Sequence, residues 1–259
     1  MLNYSFSIAE LEYFLLILVR TMGFIFSAPF FSDPSVPRNV KVGYGLLFSV
    51  LLYNILPSQA VVYSSIIGYS VIVIKETITG LIIGYGANLC STILAFAGHI
   101  ADMEIGLSMV SMMDPTTRTQ VTISGMFYQY TVGLLLFISG LYQYILLALK
   151  ESFVLIPING AIFSSERFLQ SMLEFLKDYI SVGFRICLPV FCAMILLNAV
   201  LGMLAKVSPQ LNMFAVGIQI KVLLGLFIMF VTAGMLPRVS SLILSETKTV
   251  VTMFVESMM

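Results

Sequence analysis

Long uncharged apolar runs separated by short polar intervals set the first reading of this chain. Leu11 to Phe31 is such a run, long enough to cross roughly 30 Å of hydrocarbon as a helix, with Arg20 inside it. Ser32-Asp33-Pro34-Ser35-Val36-Pro37-Arg38 ends it as a turn, because each proline removes a donor and fixes φ. Val42 to Ile74 carries no charge and is too long for one ordinary span and short for two. Pro57-Ser58-Gln59 offers a break there and predicts a tight hairpin with two short arms, with Lys75-Glu76 marking the next boundary. Thr77 to Gly98 then carries Gly80, Gly84, Gly86 and Gly98 with Ala87, Ala95 and Ala97. Small residues near four-residue spacing let helix backbones approach closely, so this run predicts dense helix packing rather than lipid exposure.

Ser124 to Leu149 is a further uncharged run, with Tyr128, Tyr130, Tyr142 and Tyr144, closed by Lys150-Glu151. Ser152 to Ile180 is the largest polar interval; Pro157-Ile158-Asn159-Gly160 reads as a turn, and Ser164 or Ser165 as a cap ahead of Glu166. Phe168, Leu169, Met172, Leu173, Leu176 and Tyr179 form one stripe and predict an amphipathic helix, at a surface or on a partner. Ile186 to Ala205 is apolar, with Arg185 just outside and Pro189 near its start. After the polar turn Lys206 to Asn212, the chain returns through Met213 to Pro237, interrupted by Lys221. Beyond Glu246, Val250, Val251, Phe254, Val255 and Met258 share a helical face and predict a tail that packs on something.

One interval differs from the others. His99 to Ile123 combines Asp102 and Glu104 as a carboxylate pair with Gly106, Met103, Met109, Met112, Met113 and the turn signal Asp114-Pro115. Methionine is unbranched and polarizable, so such a segment repacks against many shapes. Non-helical backbone at membrane depth is tolerated only when buried in protein or lining a cavity. The interval reads either as a closure in a conduit or as an inter-helix loop with its methionines in a core.

Composition agrees with the pattern: 259 residues are 59% hydrophobic and 10% charged, against about a quarter charged in soluble domains. The fold class is therefore all-α, a polytopic membrane-associated set of helical hairpins. A formal net charge of zero gives no reason to expect a nucleic-acid partner. Cys90, Cys187 and Cys192 fall in apolar runs at spacings of no metal or redox motif. No basic residue precedes the first run, which argues against a cleaved signal peptide. Loop and tail cations favour the side holding Lys150, Arg167, Lys177, Arg238 and Lys248 as cytoplasmic.

Catalysis has little to stand on. With His99 the one histidine, no Ser-His-Asp set assembles, and neither a phosphate loop nor an H-E-x-x-H zinc helix is present. No cofactor is expected. Among charges near apolar runs, Lys75-Glu76 and Lys150-Glu151 read as pairs at span ends, while Arg20 and Lys221 are interior. Interior charges face protein or water and mark ion paths or structural pairs. A proton-coupled carrier of small solutes needs an interior carboxylate, and both interior charges here are basic.

Ser208-Pro209-Gln210-Leu211-Asn212-Met213-Phe214-Ala215-Val216-Gly217, followed by Lys221 and Gly225, resembles the FliR family of flagellar type III export-gate subunits. Arg20 with Gly23, Pro29, Pro37-Arg38, Lys75-Glu76 with Gly80 and Gly84, Asp114-Pro115, and Ser152-Phe153 with Pro157 extend the likeness over nearly the whole chain. Injectisome relatives share the Pro-Gln-Leu-Asn turn, and Val216-Gly217 after it looks more flagellar. The resemblance implies one subunit of a helical export gate, non-enzymatic, in the bacterial cytoplasmic membrane at the flagellar basal body. Its implied partners are FliP, FliQ, FlhB and FlhA homologues, unfolded flagellar export substrates and membrane lipid. It implies that residues 1–150 are FliP-like and 151–259 a connector and FliQ-like hairpin. It further implies a pore plug over 106–122, with Gly106, Met109, Met112, Met113, Asp114 and Pro115. Pro209, Gln210, Asn212 and Phe214 would shape a hairpin tip that meets neighbouring subunits, or simply make a well-formed turn. A small-solute transporter and a purely structural scaffold are the competing readings.

Overall fold

A computed structural model describes residues 8–57, 61, 63, 65–108, 122–208 and 213–259, with backbone only at 213–215. The described residues are helical and contain no strand. In chain order the helices are α1 (Ile8–Ser27), α2 (Arg38–Ile55), α3 (Ile66–Ile105), α4 (Ile123–Ile138), α5 (Leu141–Leu155), α6 (Ser165–Val207), α7 (Met213–Thr232) and α8 (Leu236–Glu256). A single 3-10 turn, Ala233–Met235, precedes α8. Three helical stretches are long and apolar enough to cross a membrane: Ile66–Ile105, Ser165–Val207 and Val216–Glu256. The broken pair α4 and α5 makes a fourth if it counts as one span.

The chain forms two compact units that interleave along the sequence. The first takes residues 1–90, 140–175 and 245–259; the second takes 91–139 and 176–244. In the first unit α1 packs on α2 and, through glycines, on α3. A methyl added at Gly23 would lie 2.7 Å from the Thr77 carbonyl oxygen, and one at Gly80 would meet the Arg20 carbonyl. Gly84 sits against the Phe24 carbonyl and the Ser27 side chain. The small-residue pattern thus does what its spacing predicts, placing two backbones in direct contact. The end of α8 completes this core. Val250, Val251, Phe254, Val255 and Met258 are buried, the Phe254 ring fills the space over Gly86, and the Ile162 N–H donates to the Met258 carbonyl at 2.9 Å.

In the second unit the Gly98 and Gly125 backbones touch, and the ring of Phe96 lies over Gly183. Phe96 also stacks obliquely on Tyr179 at 5.0 Å between centroids. Gly225 accommodates Ile105, whose nearest atom would be 2.6 Å from an added methyl.

Several boundaries differ from those that charge predicts. Lys75-Glu76 does not end a helix: α3 runs through it to Ile105, so the hairpin after α2 has one short arm and one very long one. Lys150-Glu151 likewise lies inside α5. A charge terminates a span only if it must reach water, and Glu76 is neutralised within the protein. The apolar run from Ser124 breaks at Ser139-Gly140, where Gly140 takes φ +83°, a conformation easy only for glycine. The amphipathic segment and the following run form one helix, α6, which continues through Pro189. Its buried line passes through Ser171, Phe175 and Val182 rather than the leucines. Leu169, Leu173 and Leu176 remain exposed. The run into Pro237 breaks at Thr232, and Pro237 falls in the first turn of α8, where a missing N–H is harmless.

Candidate functional site

Arg20 is the first place to look, because a cation inside an apolar helix is costly unless paired. Both Arg20 and Glu76 are fully buried, and Arg20 Nε donates to Glu76 Oε2 at 2.5 Å. Nη1 donates to the carbonyls of Ser152 at 3.1 Å and Ile156 at 2.9 Å. Those carbonyls close the end of α5, where unpaired acceptors and the negative end of the helix dipole favour a cation. The guanidinium carbon lies 4.3 Å from the centroid of the Phe153 ring. Nη2 has no hydrogen-bond partner among the described residues. On the other side, Glu76 Oε1 accepts from the Asn159 N–H at 2.9 Å. Asn159 is left-handed, at φ +66°, a conformation asparagine tolerates better than most residues. The predicted turn at 157–160 is therefore tied to the first third of α3. One ion pair joins α1, α3, the end of α5 and the turn after it.

The interval between α3 and α4 has a second polar anchor. Asp102 is buried and accepts from the Ser124 N–H at 3.2 Å and from the Ser124 hydroxyl. Ser124 lies in the first turn of α4, so the carboxylate satisfies an orphan N–H and faces the positive helix end. Asp102 and Glu104 do not form the carboxylate pair that their spacing invites. Residues two apart on a helix face different ways, and Glu104 is only half-buried. Gly106, at φ +91°, follows the last residue of α3.

Of the remaining predicted positions, Met109, Met112, Met113, Asp114 and Pro115 lie outside the described residues, as do Pro209, Gln210 and Asn212. Phe214 belongs to α7, its side chain outside the described set. Lys221 is half-buried on α7 and joins no ion pair among the described residues. No cluster of histidine, cysteine and carboxylate that could hold a metal occurs among the described residues. Outside the apolar helices, the Ser35 backbone N–H beside Asp33 holds its carboxyl below the ordinary range. The Tyr63 hydroxyl is pushed up by donating to the Glu12 carboxylate at 2.6 Å.

Residues gathered at the buried pair include Arg20, Gly23, Glu76, Gly80, Ser152 and Phe153, which lie far apart in sequence. Residues 11–247 match the family described as Bacterial export proteins, family 1. The chain belongs to that family. Among similar members, the flagellar biosynthetic protein FliR of Bacillus subtilis (strain 168) is 28% identical over 224 residues, 84% of each chain. FliR of Aquifex aeolicus (strain VF5) is 29% identical over 225 residues, again 84% of each. FliR of Escherichia coli (strain K12) is 25% identical over 227 residues, 86% of this chain and 84% of that one. As a member of the bacterial export proteins, family 1, the chain is a flagellar export component and not an enzyme. Its long apolar helices agree with a place in the membrane part of the flagellar apparatus.

Proposed function

We propose that this chain is a core subunit of the flagellar type III export gate, assembled with FliP and FliQ homologues and with those of FlhB and FlhA. In this reading it helps line the passage through which unfolded flagellar subunits cross the bacterial cytoplasmic membrane at the basal body. The observation that carries the proposal is the family match, which runs from α1 into α8. The flagellar names of the relatives favour this system over the related injectisome.

Two features of the molecule support it. The first is the face of α6 that carries Leu169, Leu173, Leu176, Ile180, Phe184 and Leu188, all exposed. That spacing makes one apolar stripe suited to other helices. The second is the polar anchor Asp102–Ser124 beside Gly106, which fixes where the chain leaves α3 and enters α4. Residues 106–122 then act as a Met-rich plug across the passage, and Pro209, Gln210, Asn212 and Phe214 meet neighbouring subunits. The FliP-like part is 1–150 and the FliQ-like part lies within 151–259. In the assembled complex, deleting 106–122 should raise ion leakage through the membrane, read as depolarisation of liposomes. An intact complex with unchanged leakage would remove the plug from this account.

A further inference from the structure

The second unit holds a cavity of about 220 Å³ with walls from α4, α6, α7 and the start of α8. Ile186, Pro189, Leu236 and Leu242 make much of it apolar, and Arg185 and Arg238 also line it. Both arginines are exposed and neither joins an ion pair among the described residues. No carboxylate lines the cavity; Asp102, one turn from Tyr128 through Ser124, is buried and engaged there. Tyr128 is a third polar group in the lining. Its side chain is almost wholly buried, 4% exposed.

The sequence places the two arginines tellingly. Arg185 directly precedes the apolar run Ile186 to Ala205, and Arg238 directly follows the run ending at Pro237. Such positions suit the level of lipid headgroups, where basic side chains meet phosphate. The cavity is below the roughly 300–1,000 Å³ that encloses a whole small ligand. It therefore takes one end of a longer molecule. A cationic mouth, a tyrosine in the wall and an apolar floor together fit an amphiphile with an anionic head.

We propose that this cavity is a binding site for an anionic phospholipid, its phosphate held by Arg185 and Arg238 with the Tyr128 hydroxyl donating to it, and the first part of an acyl chain against Pro189, Leu236 and Leu242. The delipidated full chain, titrated in detergent with phosphatidylglycerol and with phosphatidylcholine and read by native mass spectrometry, tests it. Phosphatidylglycerol should bind about thirtyfold more tightly, the preference expected of two basic side chains at about fivefold each. In R185Q/R238Q that preference should fall to about onefold; both side chains are exposed, so the fold has no reason to change. Val239→Phe, which narrows the cavity, should weaken both lipids while keeping their ratio. Equal binding of the two lipids by the native chain, or an undiminished preference in the double variant, overturns the site. So does displacement of phosphatidylglycerol by millimolar inorganic phosphate, which marks a site for free anions, or full binding by Val239→Phe.

Discussion

Arg20 and Glu76 are separated by 56 positions and meet where no water reaches either. Removing one partner of such a pair strands the other charge. Arg20→Ala and Glu76→Ala should each lower stability by about 3–5 kcal/mol, measured by thermal or denaturant unfolding in detergent. Arg20→Met combined with Glu76→Leu should lose less than either single change, because no uncompensated charge remains and neighbouring sites couple. It should still fall short of the native chain, since the Asn159 N–H and the α5 carbonyls lose their partners. The sequence marks Arg20 as interior and in need of company, but it does not mark whose. Glu76 stands beside Lys75, and that adjacency reads as a local pair at a helix end. Partner choice across 56 residues is a tertiary fact, and hydropathy contains no term for it.

At the level of helices, glycine spacing was the most legible feature and charge position the least. Gly23, Gly80 and Gly84 lie in the α1–α3 contact because only hydrogen at Cα permits it. Gly80→Ala should cost about 1–3 kcal/mol through overpacking, while Gly133→Ala, with nothing within 4 Å of the new methyl, should leave unfolding unchanged or slightly improve it. Comparing the two melting curves checks the seam directly, since both changes add the same group to a helix. Element ends were harder. The break at Ser139-Gly140 is flanked by apolar residues on both sides, so no polarity change announces it. The methionine interval was readable as unusual, and the anchor between Asp102 and Ser124 was not, because its members lie 22 residues apart. On α6, apolar residues occupy more than one face, so periodicity located the helix without choosing the side that the chain itself buries.

At the scale of the whole molecule, the exposed apolar side chains greatly outnumber what a soluble surface tolerates. Examples are Leu134, Phe137 and Ile138 on α4 and Leu223, Phe227 and Phe230 on α7. Lipid can cover some of this surface, and neighbouring helices the rest. Expressed with FliP and FliQ homologues, the chain should purify as one defined complex by size exclusion with light scattering. A monodisperse chain that gains nothing from those proteins would contradict the proposed assembly. All-helical architecture, membrane character and family were open to a reader of the sequence. The interleaving of the two units was not, since it depends on where the last helix returns.

That return carries a consequence for biosynthesis. The space over Gly86 is filled by Phe254, and the loop at Ile162 is tied to Met258, so residues made early wait for residues made late. Domains commonly fold as they leave the ribosome, amino end first; here the earliest third of the polypeptide stays unfinished until the closing turns of α8 have been translated. A nascent chain halted before Val250 would hold an open groove along α3, a natural handle for quality-control proteases.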